Sequence, residues 1–133
     1  MVEALILETT FLVDLERELM SESSGAAQRF LQSNASCALH ITFTIAGELA
    51  AGPKLNDRAA WDRMLEPFVV LACTPEVSWR YGRLYRYLKA NGLAIGANDL
   101  WIAATALAFE MPLVTRNERH FSRVPDLGVL GYA

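Results

Sequence analysis

Cysteine is scarce in this sequence, with two among 133 residues, Cys37 and Cys73. They lack metal-type spacing and lie in apolar stretches, so a thiolate metal site is excluded and buried free thiols in a reducing cytoplasm are expected. Long hydrophobic runs are missing: no apolar stretch approaches the roughly 20 residues that a membrane helix needs. The apolar start has neither the positively charged region nor the cleavage site of a signal peptide. Charge of one sign is missing as well. At a net −3, no global field attracts nucleic acid, and a phosphate-bearing substrate must be drawn by a local basic patch or by bound metal. There is no internal repeat, linker or low-complexity segment.

What is present is apolar, at 53% of residues, above the roughly 45–50% usual for soluble domains. Residues 1–133 are expected to form a single domain, with the apolar excess spent on an interface between protein chains. Ala4 to Leu7 reads as a short buried strand, continuous rather than alternating in apolarity. Thr9 and Thr10 open a helix through Leu15, and a second helix spans 26–34. A second strand covers 38–43, and Thr44 caps a helix containing Glu48. A further helix covers 57–65 and a third strand 68–71. Thr74 then caps a helix with Pro75 at its first position, ended by Asn91-Gly92. Asn98 caps the next helix, a fourth strand covers 111–115, a short turn runs through 118–121, and Val129-Leu130 forms an edge strand. Alternating strands and helices predict an α/β fold of three layers, a mostly parallel sheet of four to five strands flanked by helices.

Under that topology Glu8, Glu48, Asp99 and Asn117 gather at one edge of the sheet. Open parallel sheets bind ligands outside the carboxyl ends of their strands. Carboxylates brought together repel unless they share protons or hold a cation, and oxygen donors suit a hard divalent ion. Glu is also a poor choice for the end of a buried strand unless it has a task there.

The segments LILETTFLVDLERE, ITFTIAGELAAG and NDLWIAATAL with LVTRNERHFSRVPDLGVL resemble those of a PIN domain, and more narrowly those of the VapC toxins of toxin–antitoxin pairs. The resemblance covers essentially the full chain and is most specific from Asn98 to Leu127. It implies a metal-dependent endoribonuclease using Mg2+ or Mn2+. Carried over by position, Glu8, Glu48, Asp99 and Asn117 are the catalytic set, Glu8, Glu48 and Asp99 the metal ligands, and Thr10 and Thr115 the supporting hydroxyls. It also implies an RNA substrate, a VapB-like antitoxin partner and a homodimer. The first two helices and the segment from Pro53 to Trp61 are the candidate interface surface.

Glu8 departs from the family pattern, which has Asp there. Its carboxylate sits one methylene further from the backbone, and magnesium tolerates little displacement of its ligands. An attenuated nuclease is the expectation, and a catalytically weak PIN-fold interaction module the alternative. Other acidic α/β folds fit less well. A receiver domain needs an Asp after its third strand, where Leu71-Ala72-Cys73-Thr74 has none, and a dehalogenase-like phosphatase needs Asp in place of Glu8. Arg116, Arg119 and Arg123 are candidates for RNA phosphate contact. Arg80, Arg83, Arg86 and Lys89 form a broad basic helix face. His120 is expected to hydrogen-bond within its turn rather than act as a base, His40 to be structural, and Trp61, Trp79 and Trp101 to pack or anchor an interface.

Overall fold

The computed structural model describes residues 3–133; the first two residues of the apolar start lie outside that range. Among the described residues are five strands: β1 (Ala4–Leu7), β2 (Ala38–Thr42), β3 (Val69–Leu71), β4 (Leu113–Val114) and β5 (Val129–Leu130). They form one sheet in the order β3-β2-β1-β4-β5, and every neighbouring pair is parallel. The expected sheet is thus present at its upper strand count and without an antiparallel member. The central strand β1 explains its own placement. Leu5, Ile6 and Leu7 have no exposed surface, as a strand covered on both faces requires.

Among the described residues, seven helices flank the sheet: α1 (Thr9–Met20), α2 (Ala26–Ser33), α3 (Phe43–Ala51), α4 (Arg58–Leu65), α5 (Pro75–Ala90), α6 (Ala97–Phe109) and α7 (Glu118–Phe121). A short 3-10 turn over Pro53–Leu55 joins α3 to α4. α6 is the most buried of them. Ile102, Ala103 and Ala104 are fully enclosed, and the alanines let its backbone approach its neighbours closely. It packs on α5, where Tyr81 stacks on Trp101 with centroids 3.9 Å apart. α1 meets α2 through Phe11 and Phe30, edge to face at 5.7 Å. Asn91 and Gly92 end α5 as the sequence indicates, with Gly92 at φ 65°, a conformation glycine adopts without steric cost.

Three local expectations need correction here. Thr42, not Thr44, caps α3: β2 ends at Thr42, whose hydroxyl accepts from the Ile45 N–H at 3.2 Å. Gly96, not Asn98, precedes α6 and has no side chain with which to cap it; Asn98 lies inside the helix with its amide turned toward Glu48. Cys73 is exposed and Cys37 half-buried, so neither is the enclosed thiol expected. Of the three tryptophans, Trp101 packs on Tyr81 and Phe43, Trp61 donates its indole N–H to the Ala46 carbonyl at 2.9 Å, and Trp79 is 64% exposed, open to the interface role expected of it.

Candidate active site

The strand order reverses direction between β1 and β4, the switch point at which open parallel sheets form their crevice. Glu8 directly follows β1, and Thr115 directly follows β4. Glu8 is buried, 4% exposed, and a carboxylate at that depth must find donors. It finds three. Thr115 Oγ1 donates to Oε1 at 2.5 Å, Thr10 Oγ1 donates to Oε1 at 2.7 Å, and the Thr10 backbone N–H reaches Oε2 at 3.2 Å. The last of these makes Glu8 the N-cap of α1.

The two hydroxyls have their direction fixed by what they accept. Thr10 Oγ1 accepts the Arg116 N–H and Thr115 Oγ1 accepts the Asn117 N–H, each at 3.0 Å. Each hydroxyl has one proton, and both protons point to Glu8. The 3.4 Å approach between the two hydroxyl oxygens is then a consequence of shared acceptance rather than a bond between them.

Glu48, on α3, is oriented from both sides. Thr9 Oγ1 donates to Oε1 at 2.7 Å, and Asn98 Nδ2 reaches Oε2 at 3.5 Å. Asp99, in the first turn of α6 where the helix dipole favours an anion, pairs with His120 Nε2 at 2.9 Å. Asn117 stands at the start of α7, its carbonyl accepting the His120 N–H at 3.1 Å. Through Thr9-Thr10 and Asn98-Asp99, which are chain neighbours, these contacts close into one ring at the sheet edge. All four acidic-set positions belong to it, together with Thr10 and Thr115. Thr9, Asn98 and the His120 contact to α6 are members that sequence reasoning missed. The first two were hidden beside stronger candidates, and His120 was expected to bond within its own turn.

Oxygen donors of this kind suit a hard cation. The side chains as arranged do not close around one: among the described residues, no group of three or more His, Cys, Asp or Glu could hold a metal ion. The Glu8 carboxylate is turned inward onto two threonines.

The proposed phosphate contacts divide. Arg116 is tied to Asp14 by a 2.7 Å ion pair, and Arg123 reaches the Ala94 carbonyl at 3.3 Å. Arg119 is exposed on α7. Along α5, Arg80 pairs with Glu76, Arg83 lies over Trp79 and Lys89 over Tyr85, so that face is both basic and aromatic.

Residues 5–127 match the model of the PIN domain. The chain belongs to the PIN-domain family. This PIN domain is 36% identical over 67 residues to Ribonuclease VapC1 of Methanocaldococcus jannaschii, an alignment covering 50% of this chain and 49% of that protein. The chain thus spans about half the length of that curated relative. Against Ribonuclease VapC19 of Mycobacterium tuberculosis strain H37Rv the identity is 30% over 122 residues, covering 92% of this chain and 95% of the relative. Among solved structures, VapBC2 from Rickettsia felis bound to a DNA fragment from their promoter superimposes with a TM-score of 0.80. Identity to it is 25%, covering 98% of this chain and 99% of that one. Among the described residues, no helix of this PIN domain is long and apolar enough to cross a membrane.

Proposed function

We propose that residues 1–133 act as a single PIN-like domain and as a VapC-type endoribonuclease toxin, hydrolysing phosphodiester bonds of RNA at the edge built by Glu8, Glu48, Asp99 and Asn117. The observation that carries this reading is the hydrogen-bonded ring at the switch point, in a chain whose full-length relative is named a ribonuclease. In such a hydrolysis a water oxygen forms a bond to phosphorus, the ester P–O bond breaks, and one proton must leave the water while another reaches the departing oxygen. The Asp99–His120 pair and Glu48 are the proton-holding groups on the open side of the ring, both half-buried. Thr9 and Asn98 fix which way Glu48 faces, and His120 does the same for Asp99.

Magnesium or manganese is the cofactor implied by the resemblance, with Glu48 and Asp99 the donors best presented to it. Glu8 would give up part of its bonding to Thr10 and Thr115 in order to join them. That competition supports an attenuated enzyme, since a ligand misplaced by about 1 Å can cost about a hundredfold in rate. The same engagement of Glu8 favours a second reading, a PIN-fold interaction module with little catalysis.

The proposed partner is a VapB-like antitoxin. Supporting it is a cleft of about 320 Å³ lined by Thr9, Val13, Glu48, Leu49, Pro53 and Leu55. It joins two ring residues to an apolar wall, suiting a peptide that carries both an Arg for the carboxylates and apolar anchors. A homodimer is also proposed, consistent with exposed Leu19, Met20 and Val69. The test is cleavage of total cellular RNA with magnesium or manganese. A nuclease gives defined fragments that vanish with EDTA; no fragments under any metal would leave only the interaction module.

A further inference from the structure

Asp14 lies outside the ring, on α1, one turn beyond Thr10. Its side chain is 16% exposed and holds two groups from distant parts of the chain. Arg116 Nη1 lies 2.7 Å from Oδ1, and the Tyr132 hydroxyl donates to Oδ2 at 2.5 Å. Arg17, 69% exposed, adds a looser contact at 3.4 Å. Tyr132 is anchored in turn. Its ring packs edge to face on fully buried Phe11 with centroids 4.8 Å apart, and its hydroxyl comes within 3.4 Å of the Thr10 carbonyl. Burial, then the hydrogen bond and charge of Asp14, push the phenol well above its ordinary pKa, against a smaller opposing effect of Arg116. The phenol therefore remains a donor throughout the neutral range.

The consequence runs through one backbone group. Arg116 is gripped by its guanidinium, and its N–H occupies a lone pair of Thr10 Oγ1. That acceptance leaves the Thr10 proton to Glu8. One residue on, the Asn117 N–H does the same to Thr115. We infer that Asp14 and Tyr132 are positioning residues, a clamp that holds the Thr115–Arg116–Asn117 segment in register with α1 and so sets the orientation of Glu8 and Asn117 at the reactive edge. The inference rests on the ribonuclease reading for its effect on rate, and on geometry alone for its effect on the segment. It also removes Arg116 from the phosphate contacts and assigns its guanidinium to Asp14.

The exchange measurement uses the full chain and two variants of it, Tyr132→Phe, which keeps the ring on Phe11, and Asp14→Asn. Amide exchange is followed by NMR at Arg116 and Asn117, with Leu5 and Ile102 as core references. Exchange at the two loop amides should accelerate at least tenfold on both substitutions, with the core amides and the melting temperature nearly unchanged. Unchanged exchange at Arg116 and Asn117 would overturn the clamp. Cleavage of a single-stranded RNA oligonucleotide supplies the second readout. kcat should fall about tenfold with KM within twofold, and Arg116→Lys should recover far more kcat than Arg116→Ala. A rise in KM alone for Arg116→Ala, with kcat retained, would instead return Arg116 to phosphate binding and refute the assignment. If neither the unaltered chain nor its Asp99→Asn form cuts RNA, the ribonuclease reading fails, and the exchange rates still decide the clamp.

Discussion

Thr115 Oγ1 donates to Glu8 Oε1 at 2.5 Å, joining residues 107 apart in sequence. The bond ties the first strand to the fourth at the point where the sheet's strand order reverses. Thr115 is fully buried and uses both its proton and a lone pair, the latter for the Asn117 N–H. Thr115→Val keeps the shape and removes both functions. It should destabilise the chain by about 1–3 kcal/mol, the cost of leaving buried polar groups short of a partner. Thr115→Ser, which retains the hydroxyl, should cost less. Urea denaturation of the three proteins measures the difference; equal midpoints for Val and Ser would show that the hydroxyl is not holding Glu8.

The length of Glu8 should matter more to rate than to stability. Its carboxylate reaches inward far enough to accept from both Thr10 and Thr115. Removing one methylene shortens that reach and leaves more of the carboxylate for the open side of the ring. Glu8→Asp should raise RNA cleavage about ten- to hundredfold in magnesium or manganese. Cleavage that stays level or declines would mean that Glu8 is not the source of attenuation.

Much of this site was legible because its residues carry local signals. Glu8 stands out as a carboxylate ending a run of four apolar residues, and Asp99 as an acid at a helix start. The parallel sheet itself follows from the alternation of strands and helices, whereas the order β3-β2-β1-β4-β5 is visible only in the structure. Failures came where a local signal had two uses. Asn98 is a good helix cap by type, but its amide finds Glu48, 50 residues away, and no sequence window contains both. Thr42 and Thr44 are equally good caps, and only the end of β2 at Thr42 decides between them. Strand β4 was expected over five residues and pairs over Leu113–Val114. Its N-terminal flank bonds elsewhere, Met111 N–H to the Ala106 carbonyl, and beyond Val114 only the Thr115 N–H continues toward β5, to the Leu130 carbonyl. Asp14 and Tyr132 gave no signal at all, since an acid on an amphipathic helix and a tyrosine after an edge strand are ordinary on their own.

Glu48 and Asp99 should be separable from the fold. Glu48→Gln keeps an oxygen that can accept from Thr9, and Asp99→Asn keeps one for His120, so both proteins should unfold at urea concentrations near that of the unaltered chain. Both lose the charge and the capacity to take a proton. Cleavage should drop by about 10²–10⁴-fold in each, the range for loss of a positioned acid or base. Retained cleavage in either variant would remove that residue from the reaction.

The pH dependence of stability should be traceable to Glu18, far from the reactive edge. α2 begins after Gly25, which has no side chain with which to cap it. Glu18, from the end of α1, does so instead, accepting the N–H groups of Gly25, Ala27 and Gln28 at 3.0, 2.9 and 3.0 Å. Burial raises the pKa of this carboxyl, but the backbone donors outweigh it and leave the group below its ordinary value of 4.5. A folded pKa lower than the unfolded one means that the ionised form stabilises the fold. The contribution is complete above the unfolded pKa and is lost as pH falls through the folded one. Glu18→Gln should therefore be less stable than the unaltered chain at pH 7, and the gap should narrow as pH drops below 4.5 toward and past the folded value. Parallel urea titrations at pH 7 and in that acidic range measure it. A gap that persists undiminished in acid would mean that the shape of the side chain, rather than its charge, holds the start of α2.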